Sequence, residues 1–555
     1  MKIGSITRLE QNTRRSGEII GVLAKYGLAD WFKGAHSSWI QERIKSFDGR
    51  PIPELKFAER LRLAFTELGP TFIKLGQMLG TRPDLVGAET AAELARLQIE
   101  TAADPPETVR ATIEAELGRP PEMLFAEFEE APFASASIAQ AHRAWLPTGE
   151  DVVVKVQHAG ILEKIQPDLD ILADLAELAE KHAPQLRPYQ PVALVQQFRR
   201  TLLRELDFNS ERRNLEEFAT HFADDPTVYF PNAYNELSSR RVLTMERLDG
   251  ILGTDGAALA ESGADLDELA RRGANIYLQM IFRDAFYHAD PHPGNLMLLP
   301  GGVVGVVDCG MTGRLDAELE EDIEEMLLAV AKSKSADLSE IILRVGSVPP
   351  GIPRDQFRAE VSDFVADYTS QSIHELDLSE ALNRLAEIIR RYKIILPPPL
   401  SLLLRTLVEL EGTAQKLNPQ FSLAEVIRPF YAKLVQQRFS PRRILNRTQR
   451  AFRGWERLVE SLPRDLSGVL QRIRDGSFSV HLEHRHLDPI VNRLVLGVMT
   501  AALLVSSSLL WSTKAPPTVA GVSLFGAAGY LLALFLGWRL LRAIKKSGDI
   551  DSDKQ

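Results

Sequence analysis

Between Tyr287 and Gly310 the chain leaves itself few conformations. Pro291, Pro293 and Gly294 in the run His288-Ala289-Asp290-Pro291-His292-Pro293-Gly294-Asn295 forbid a regular helix, so the segment must be a rigid loop presenting Asp290 and Asn295 from one backbone. The apolar run Val303-Val304-Gly305-Val306-Val307 predicts a short buried strand that delivers Asp308 beside them. An Asp, an Asn five residues later and a second Asp at the end of a strand make a compact set of oxygen ligands for hydrated Mg²⁺ and phosphate. In such a set Asp290 accepts a proton or positions an acceptor, Asn295 reaches one magnesium ion, and Asp308 holds the metal that bridges the nucleotide phosphates.

A second group of residues completes this chemistry. Phe133-Ala134-Ser135-Ala136-Ser137 is a tight small-residue turn that leads into an alternating strand through Ala144, and after the turn Thr148-Gly149-Glu150 comes Val152-Val153-Val154-Lys155-Val156. The pair predicts a β-hairpin. A lysine inside a run of β-formers either reaches the α and β phosphates and pairs with a helix glutamate, or guards an edge strand against aggregation. Small residues before the hairpin allow backbone N–H groups near phosphate, although there is no Gly-x-Gly-x-x-Gly. Val195 to Phe218 predicts one charged amphipathic helix with Asp207 and Glu211 a turn apart and Glu205 pointing elsewhere, able to answer two lysines. The second lysine is Lys74, in Thr71-Phe72-Ile73-Lys74-Leu75-Gly76-Gln77, after a helix from Leu55 to Leu68 that breaks at Gly69-Pro70. Thr71 is the expected N-cap there, and Lys74 and Gln77 share a face; a lysine snorkelling to solvent is the plainer alternative. The strand Arg241 to Glu246 and the turn to Gly250 read as a linker between two lobes whose backbone edges an adenine.

With 555 residues the chain allows about three or four domains, or one bilobal unit with appendages. Its 65 basic and 75 acidic residues, with no long Lys/Arg block in the soluble part, make nucleic acid an unexpected partner. Cys309 is the only cysteine, so no intramolecular disulfide forms. The polar N-terminus has no apolar signal core, so export is not indicated and the main body is expected in the cytoplasm. Ile19 to Trp31, broken at Gly27, is a packing helix or a peripheral membrane one. Near the other end, Leu494 to Trp511 and Val519 to Trp538 are uncharged runs of about eighteen and about twenty residues, each enough to cross hydrocarbon as a helix. Arg485 and Arg493 before them and Arg539, Arg542, Lys545 and Lys546 after them, against Lys514 alone between them, orient this hairpin with both outer ends inside. Residues 440 to 490 are basic, with Arg442, Arg443, Arg447 and Arg450, and suit either anionic lipid or a solvated helix.

Taken together, these residues resemble the UbiB family of atypical protein-kinase-like ATPases, whose relatives support ubiquinone biosynthesis. The resemblance covers roughly residues 55 to 420, and the C-terminal hairpin is similar to that of the bacterial type. Lys74-Leu75-Gly76-Gln77 matches the family's Lys-x-Gly-Gln motif, which the resemblance folds over the nucleotide site, where a protein substrate lies in ordinary kinases. Glu205-Leu206-Asp207 matches its Glu-x-Asp motif, with Glu205 expected to pair with Lys74. Ala134 to Ser137 falls at the alanine-rich loop, Lys155 at the nucleotide-binding lysine, Glu211 at its helix partner, and Met245, Glu246 and Leu248 at the segment that edges the base. Asp290 falls at the catalytic position and Asn295 and Asp308 at the metal positions. Two features depart from the pattern: the loop reads Ala-Ser-Ala-Ser, and Cys309 stands where the metal turn usually has Phe.

The resemblance implies an α+β, bilobal protein-kinase-like fold: a small β-containing N-lobe, a mainly helical C-lobe, an N-terminal helical extension and a C-terminal two-helix membrane hairpin. The expected domains are the extension, 1–104; N-lobe, 105–248; C-lobe, 249–440; basic connector, 441–490; membrane helices, 491–542; and cytoplasmic tail, 543–555. It further implies ATP and Mg²⁺ as cofactors, the inner (cytoplasmic) membrane as location, and membrane lipid, prenyl quinone precursors and quinone-biosynthesis enzymes as partners, with a homodimer left open. Three functions fit: a Mg-dependent ATPase or kinase at the membrane, a nucleotide-binding pseudokinase scaffold or lipid-handling protein with little turnover, and a small-molecule kinase acting on a prenyl phenol or lipid. The third is motivated by the His288 loop, which also resembles that of aminoglycoside and choline phosphotransferases.

Overall fold

The computed structural model describes residues 3–28, 55–97, 102–369, 377–438, 487–519 and 522–545. They fall into two compact units, 1–443 and 444–555, each considered by itself. The expected connector Arg442, Arg443, Arg447, Arg450 and Arg485 and the tail from Lys546 onward lie outside the described residues.

In the first unit the extension begins with α1 (Ile3–Lys25), which ends near Gly27 in the left-handed region (φ 66°). Ile19 and Tyr26 are wholly buried, so α1 is a packing helix rather than a peripheral membrane one. α2 (Phe57–Leu68) and α3 (Pro70–Gly80) meet at Gly69, whose φ of 93° suits only glycine and lets one residue end a helix and start the next. Thr71 is therefore not the cap. With Pro70 at the first helical position, Thr71 sits inside α3 and its hydroxyl donates to Asp168 Oδ2 at 2.6 Å. Asp168 also accepts from Arg15 Nε at 2.7 Å, and one buried carboxylate thereby ties α1 and α3 to a third helix. Short α4 (Pro83–Val86) and α5 (Ala88–Leu94) close the extension.

The N-lobe carries α6 (Pro106–Leu117), α7 (Pro121–Leu124) and strands β1 (Glu127–Phe128), β2 (Ala134–Ser135), β3 (Ala139–Trp145) and β4 (Asp151–Gln157). β3 and β4 form the expected antiparallel hairpin, with Ala141 opposite Lys155 and Val153 to Val156 in the ladder. Val152, Val154 and Val156 are buried on one face with Val109 and Ile113 of α6, as strand alternation requires. Two helices, α8 (Ile161–His182) and α9 (Pro191–Glu205), follow, and then α10 (Phe208–His221). The single helix expected from Val195 to Phe218 is thus two. Asp207 is extended and caps α10 by accepting from the Asn209 amide at 3.1 Å, so it shares no helix face with Glu211. Between β5 (Val228–Tyr229) and the C-lobe, β6 (Val242–Glu246) joins β4 and completes the sheet.

β7 (Ile251–Leu252), α11 (Gly256–Glu261) and α12 (Leu266–Phe282) open the C-lobe. β8 (Phe286–His288), β9 (Leu296–Leu299), β10 (Val303–Val306) and β11 (Thr312–Arg314) bracket the Asp290–Asp308 segment: β10 pairs with β9 and β5, and β11 with β8. The rest is helical: α13 (Ala317–Ala331), α14 (Ser335–Val345), α15 (Arg354–Thr369), α16 (Leu378–Arg391), α17 (Pro398–Leu417) and α18 (Leu423–Arg438). One large core built on Tyr277, Phe286, Tyr287 and Phe357 reaches from α10 and β6 into these helices. The fold is α+β and bilobal.

In the second unit α19 (Leu487–Ser512) and α20 (Leu524–Lys545) are antiparallel neighbours joined through β12 (Thr518–Val519) and β13 (Val522–Ser523). The second helix therefore starts five residues later than the uncharged run that begins at Val519, because the first part of that run is spent on the β12–β13 pairing. Val495–Ser512 is long and apolar enough to cross a membrane, whereas Leu524–Leu540 is a shorter apolar helix. The helices meet on small residues, a Cβ on Gly529 coming 2.2 Å from Ser507 Oγ, while Val498, Met499, Val505, Leu531 and Leu534 point outward.

Candidate active site

β4 projects alternate side chains at the corner between α9 and α10. Lys155 Nζ lies 2.5 Å from Glu211 Oε1 and 3.2 Å from Asp308 Oδ2, and Gln157, two residues on and on the same face, donates to the Leu206 carbonyl at 3.0 Å. One N-lobe cation thus holds a helix acid and the acid at the end of β10 together. Burial opposes the charge on Lys155, but Asp308 and Glu211 outweigh it and raise its pKa. Asp308 goes the other way: burial works against its charge, yet Lys155, the Gly310 amide and His288 hold the carboxyl down at about 2. Burial pushes the Glu211 carboxyl up, against the pull of Lys155. Two acids against one ammonium leave a site that favours a further cation.

The Asp308 turn is held by its own backbone. Gly310 N donates to Asp308 Oδ1 at 2.8 Å, and a Cβ on Gly310 would come 3.1 Å from that oxygen, a tight contact. Asn214 Nδ2 donates to the Cys309 carbonyl at 2.9 Å. Cys309 itself is wholly buried in the C-lobe core, not in the cleft, and burial raises its thiol pKa well above the usual value.

Asp290 and Asn295 come together on the proline-bearing loop. Asn295 Nδ2 donates to Asp290 Oδ2 at 2.9 Å and to the Asp290 carbonyl at 3.1 Å, which leaves the amide oxygen of Asn295 to face a metal. The Val307 amide donates to the Asn295 carbonyl at 3.0 Å, so the loop and the Asp308 strand are stitched side by side. His288 strengthens the stitch. Its Nδ1 accepts from the Asp290 amide at 3.2 Å, so the hydrogen is on Nε2, which donates to the Asp308 carbonyl. Tyr277 reaches the same Nδ1 at 3.2 Å, and from below Tyr287 donates to the Pro399 carbonyl at 2.9 Å and anchors the strand to α17.

The segment Ala134 to Ser137, expected to be the nucleotide loop, lies on β2 and the turn after it. Ala134 and Ala136 are exposed, Ser137 is buried, and Ser135 Oγ is a buried hydroxyl without a hydrogen-bond partner among the described residues. At the lobe junction Met245 is buried, and the Glu246 side chain is taken by Tyr229 and Asn232 at 2.8 and 2.9 Å. The Glu246 amide donates to the Asn232 carbonyl at 2.8 Å, so a base would have to be read by the backbone beyond it. Leu248 packs toward Gly305 of β10.

Of the extension residues, Lys74 on α3 pairs with Glu205 at the end of α9. Gln77 instead donates to the Leu97 carbonyl at 2.6 Å and secures the extension to itself. Asp207 reaches neither lysine, being spent as the cap of α10. Asn214 and Tyr277 have no local signal in the sequence, since each acts through a partner supplied by another element. Among the described residues no cluster of three or more His, Cys, Asp or Glu side chains forms a dedicated metal cage. Asp308 and Asn295 with phosphate oxygens suit magnesium, which keeps few protein ligands.

Comparison with known proteins places the chain among similar ones. An ABC1 atypical kinase-like domain matches residues 96–342, a UbiB helical domain residues 361–422, and an ABC1/UbiB kinase-like C-terminal domain residues 481–546. A probable protein kinase UbiB of Aeromonas salmonicida is 32% identical over 539 residues, covering 95% of this chain and 98% of that protein. One from Pseudomonas aeruginosa is 34% identical over 440 residues, 79% of this chain and 80% of that one. Among solved structures, the complex of Rv3197 with erythromycin from Mycobacterium tuberculosis matches with a TM-score of 0.37 and 21% identity, over 63% of this chain and 91% of that one.

Proposed function

Because this chain belongs to the UbiB family of ABC1 atypical kinase-like proteins, we propose that it is a membrane-anchored Mg-dependent ATPase or phosphotransferase supporting prenyl quinone biosynthesis. The observation that carries this is the convergence of Lys155, Glu211 and Asp308 from three separate elements, with Asp290 and Asn295 stitched to the same strand. In this reading Lys155 holds the α and β phosphates, Ser135 donates its free hydroxyl to them, and Asp308 and Asn295 hold magnesium. The ion, when bound, neutralises charge on the phosphate oxygens. Asp290, kept in place by the Asn295 amide, accepts the proton of the attacking hydroxyl or water. Val495–Ser512 supports anchoring in the bilayer, where the apolar substrate would be met.

The test is ATP turnover by the full-length protein in lipid vesicles. Asp308→Asn should lower it by at least about 100-fold, in keeping with loss of a charged group that acts on the transition state, while unchanged hydrolysis would end the proposal. The Lys74–Glu205 pair favours a second reading, a nucleotide-responsive scaffold with little turnover, because it holds the extension closed on the N-lobe. Tight Mg-ATP binding without hydrolysis, even with membranes present, would select that reading.

A further inference from the structure

Beneath the turn between β2 and β3 lies a buried histidine that holds the turn at two points, once through its ring and once through its backbone. His158 follows the end of β4, three residues after Lys155, and is only 5% exposed. Its backbone amide donates to the Ile138 carbonyl at 2.9 Å, and its Nε2 stands 3.0 Å from the Ala136 carbonyl. A carbonyl only accepts, so Nε2 carries the hydrogen. The other ring nitrogen, Nδ1, is buried without a hydrogen bond but faces Asp104 Oδ1 at 3.4 Å.

Asp104 is fixed in turn. Its Oδ2 accepts from the Ala159 amide at 2.8 Å, and its own amide donates to Gln140 Oε1 at 2.7 Å. Gln140 Nε2 then donates to His142 Nε2 at 2.9 Å, which leaves His142 Nδ1 to donate to the Glu129 carbonyl at 2.8 Å. Burial lowers the His142 pKa, in keeping with the neutral ring this polarity requires. Directed bonds therefore link Glu129, His142, Gln140, Asp104 and Ala159, and the Asp104 carboxylate faces the ring that reaches the loop. The loop has no glycine between Ala134 and Ser137, and its turn is closed by the Ala136 amide donating to the Ala139 carbonyl at 2.8 Å.

We propose that His158, backed by Asp104, is a positioning residue for nucleotide phosphates: by holding the Ala136 carbonyl it fixes the Ala134–Ser137 loop against which the phosphates lie. This rests on the nucleotide-binding reading above and goes beyond it, since His158 itself touches no nucleotide. The contribution belongs to phosphate-bearing ligands and not to the base.

The experiment is calorimetric titration of the full-length protein in vesicles with Mg-ATP, Mg-ADP and adenosine. His158→Leu, which fills the space but cannot donate, should weaken both phosphate-bearing ligands about tenfold, the scale of one lost hydrogen bond, and leave adenosine within about twofold. His158→Gln, whose amide can again reach the Ala136 carbonyl, should restore binding to within about threefold of wild type. Retained adenosine binding shows that the variant is folded. Wild-type affinity for Mg-ATP in His158→Leu, equal losses for adenosine and ATP, or no rescue by glutamine would each overturn the positioning role. Wild-type protein that binds none of the three would overturn the nucleotide reading, and this inference with it.

Discussion

Cys309 shows how one side chain can sit next to the chemistry and take no part in it. Its neighbours in sequence, Asp308 and Gly310, form the turn that meets Lys155, yet its thiol is fully enclosed in the C-lobe core, with burial raising its pKa well above the ordinary value. The thiolate is the reactive species, so a raised pKa and enclosure act in the same direction. Alkylation by a neutral maleimide at pH 7.5 should therefore be at least about 100-fold slower in the native protein than in urea. It should also be the same with and without Mg-ATP, because nucleotide would lie on the other side of the turn. Rapid labelling that nucleotide slows would show the thiol in the cleft. From the sequence alone Cys309 could be placed on either side of its turn, since the spacing Asp-Cys-Gly fixes the order of residues and not the direction of the middle one. Asp290, Asn295 and Asp308 were legible because proline, glycine and an apolar run force a local geometry. Asn214, His158 and Asp104 were not, because each gains its meaning from a carbonyl or ring supplied by another element.

At the scale of elements, strands were read more easily than helix boundaries. The β3–β4 hairpin appears in the sequence as alternation before Thr148-Gly149-Glu150 and a run of β-formers after it, and the ladder follows from Ala139 to Gln157. The apolar spacing at Leu202, Leu206 and Leu215 predicts one helix through Glu205 to Glu211, yet α9 ends at Glu205 with Leu206 as its C-cap and Asp207 then caps the start of α10. In α3 the glycine of the Lys-x-Gly-Gln segment has a packing reason apart from any motif. A Cβ on Gly76 would come 2.2 Å from Leu97 and 2.8 Å from Phe65, both buried. Overpacking of this kind costs about 1–3 kcal/mol. Gly76→Ala should lower stability toward urea by that amount, and it should tilt α3 enough to loosen the Lys74–Glu205 pair. Equilibrium unfolding measures the first effect, and faster hydrogen exchange along 70–80 the second. A variant as stable as wild type would show that Leu97 moves aside at no cost.

For the first unit as a whole, the extension touches both lobes. Lys74 joins it to α9 beside the N-lobe sheet, and a few residues later Arg82 and Asp84, 3% and 2% exposed, form a paired fork with Nη2 to Oδ2 at 2.7 Å. The same Nη2 donates to the Leu396 carbonyl at 3.1 Å, between α16 and α17 of the C-lobe, and Gly87 lies against Arg390 of α16. A strap fastened at both ends limits how far the lobes can part, so its C-lobe fastening should govern how freely the cleft opens. Removing one member of a buried, hydrogen-bonded ion pair leaves the other charge uncompensated, at a cost of about 3–5 kcal/mol. Arg82→Leu should spend that cost locally. Residues 57–94 should exchange amide hydrogens faster, while α12 and α13 of the C-lobe keep their protection. In Arg82→Leu with Asp84→Leu the unpaired charge is gone, so most of the stability should return, but the bond to Leu396 should not, and opening of the strap should persist. Exchange that rises equally in all parts of residues 1–443 would mean that strap and lobes unfold as one body, and that the fastening contributes stability without controlling the cleft.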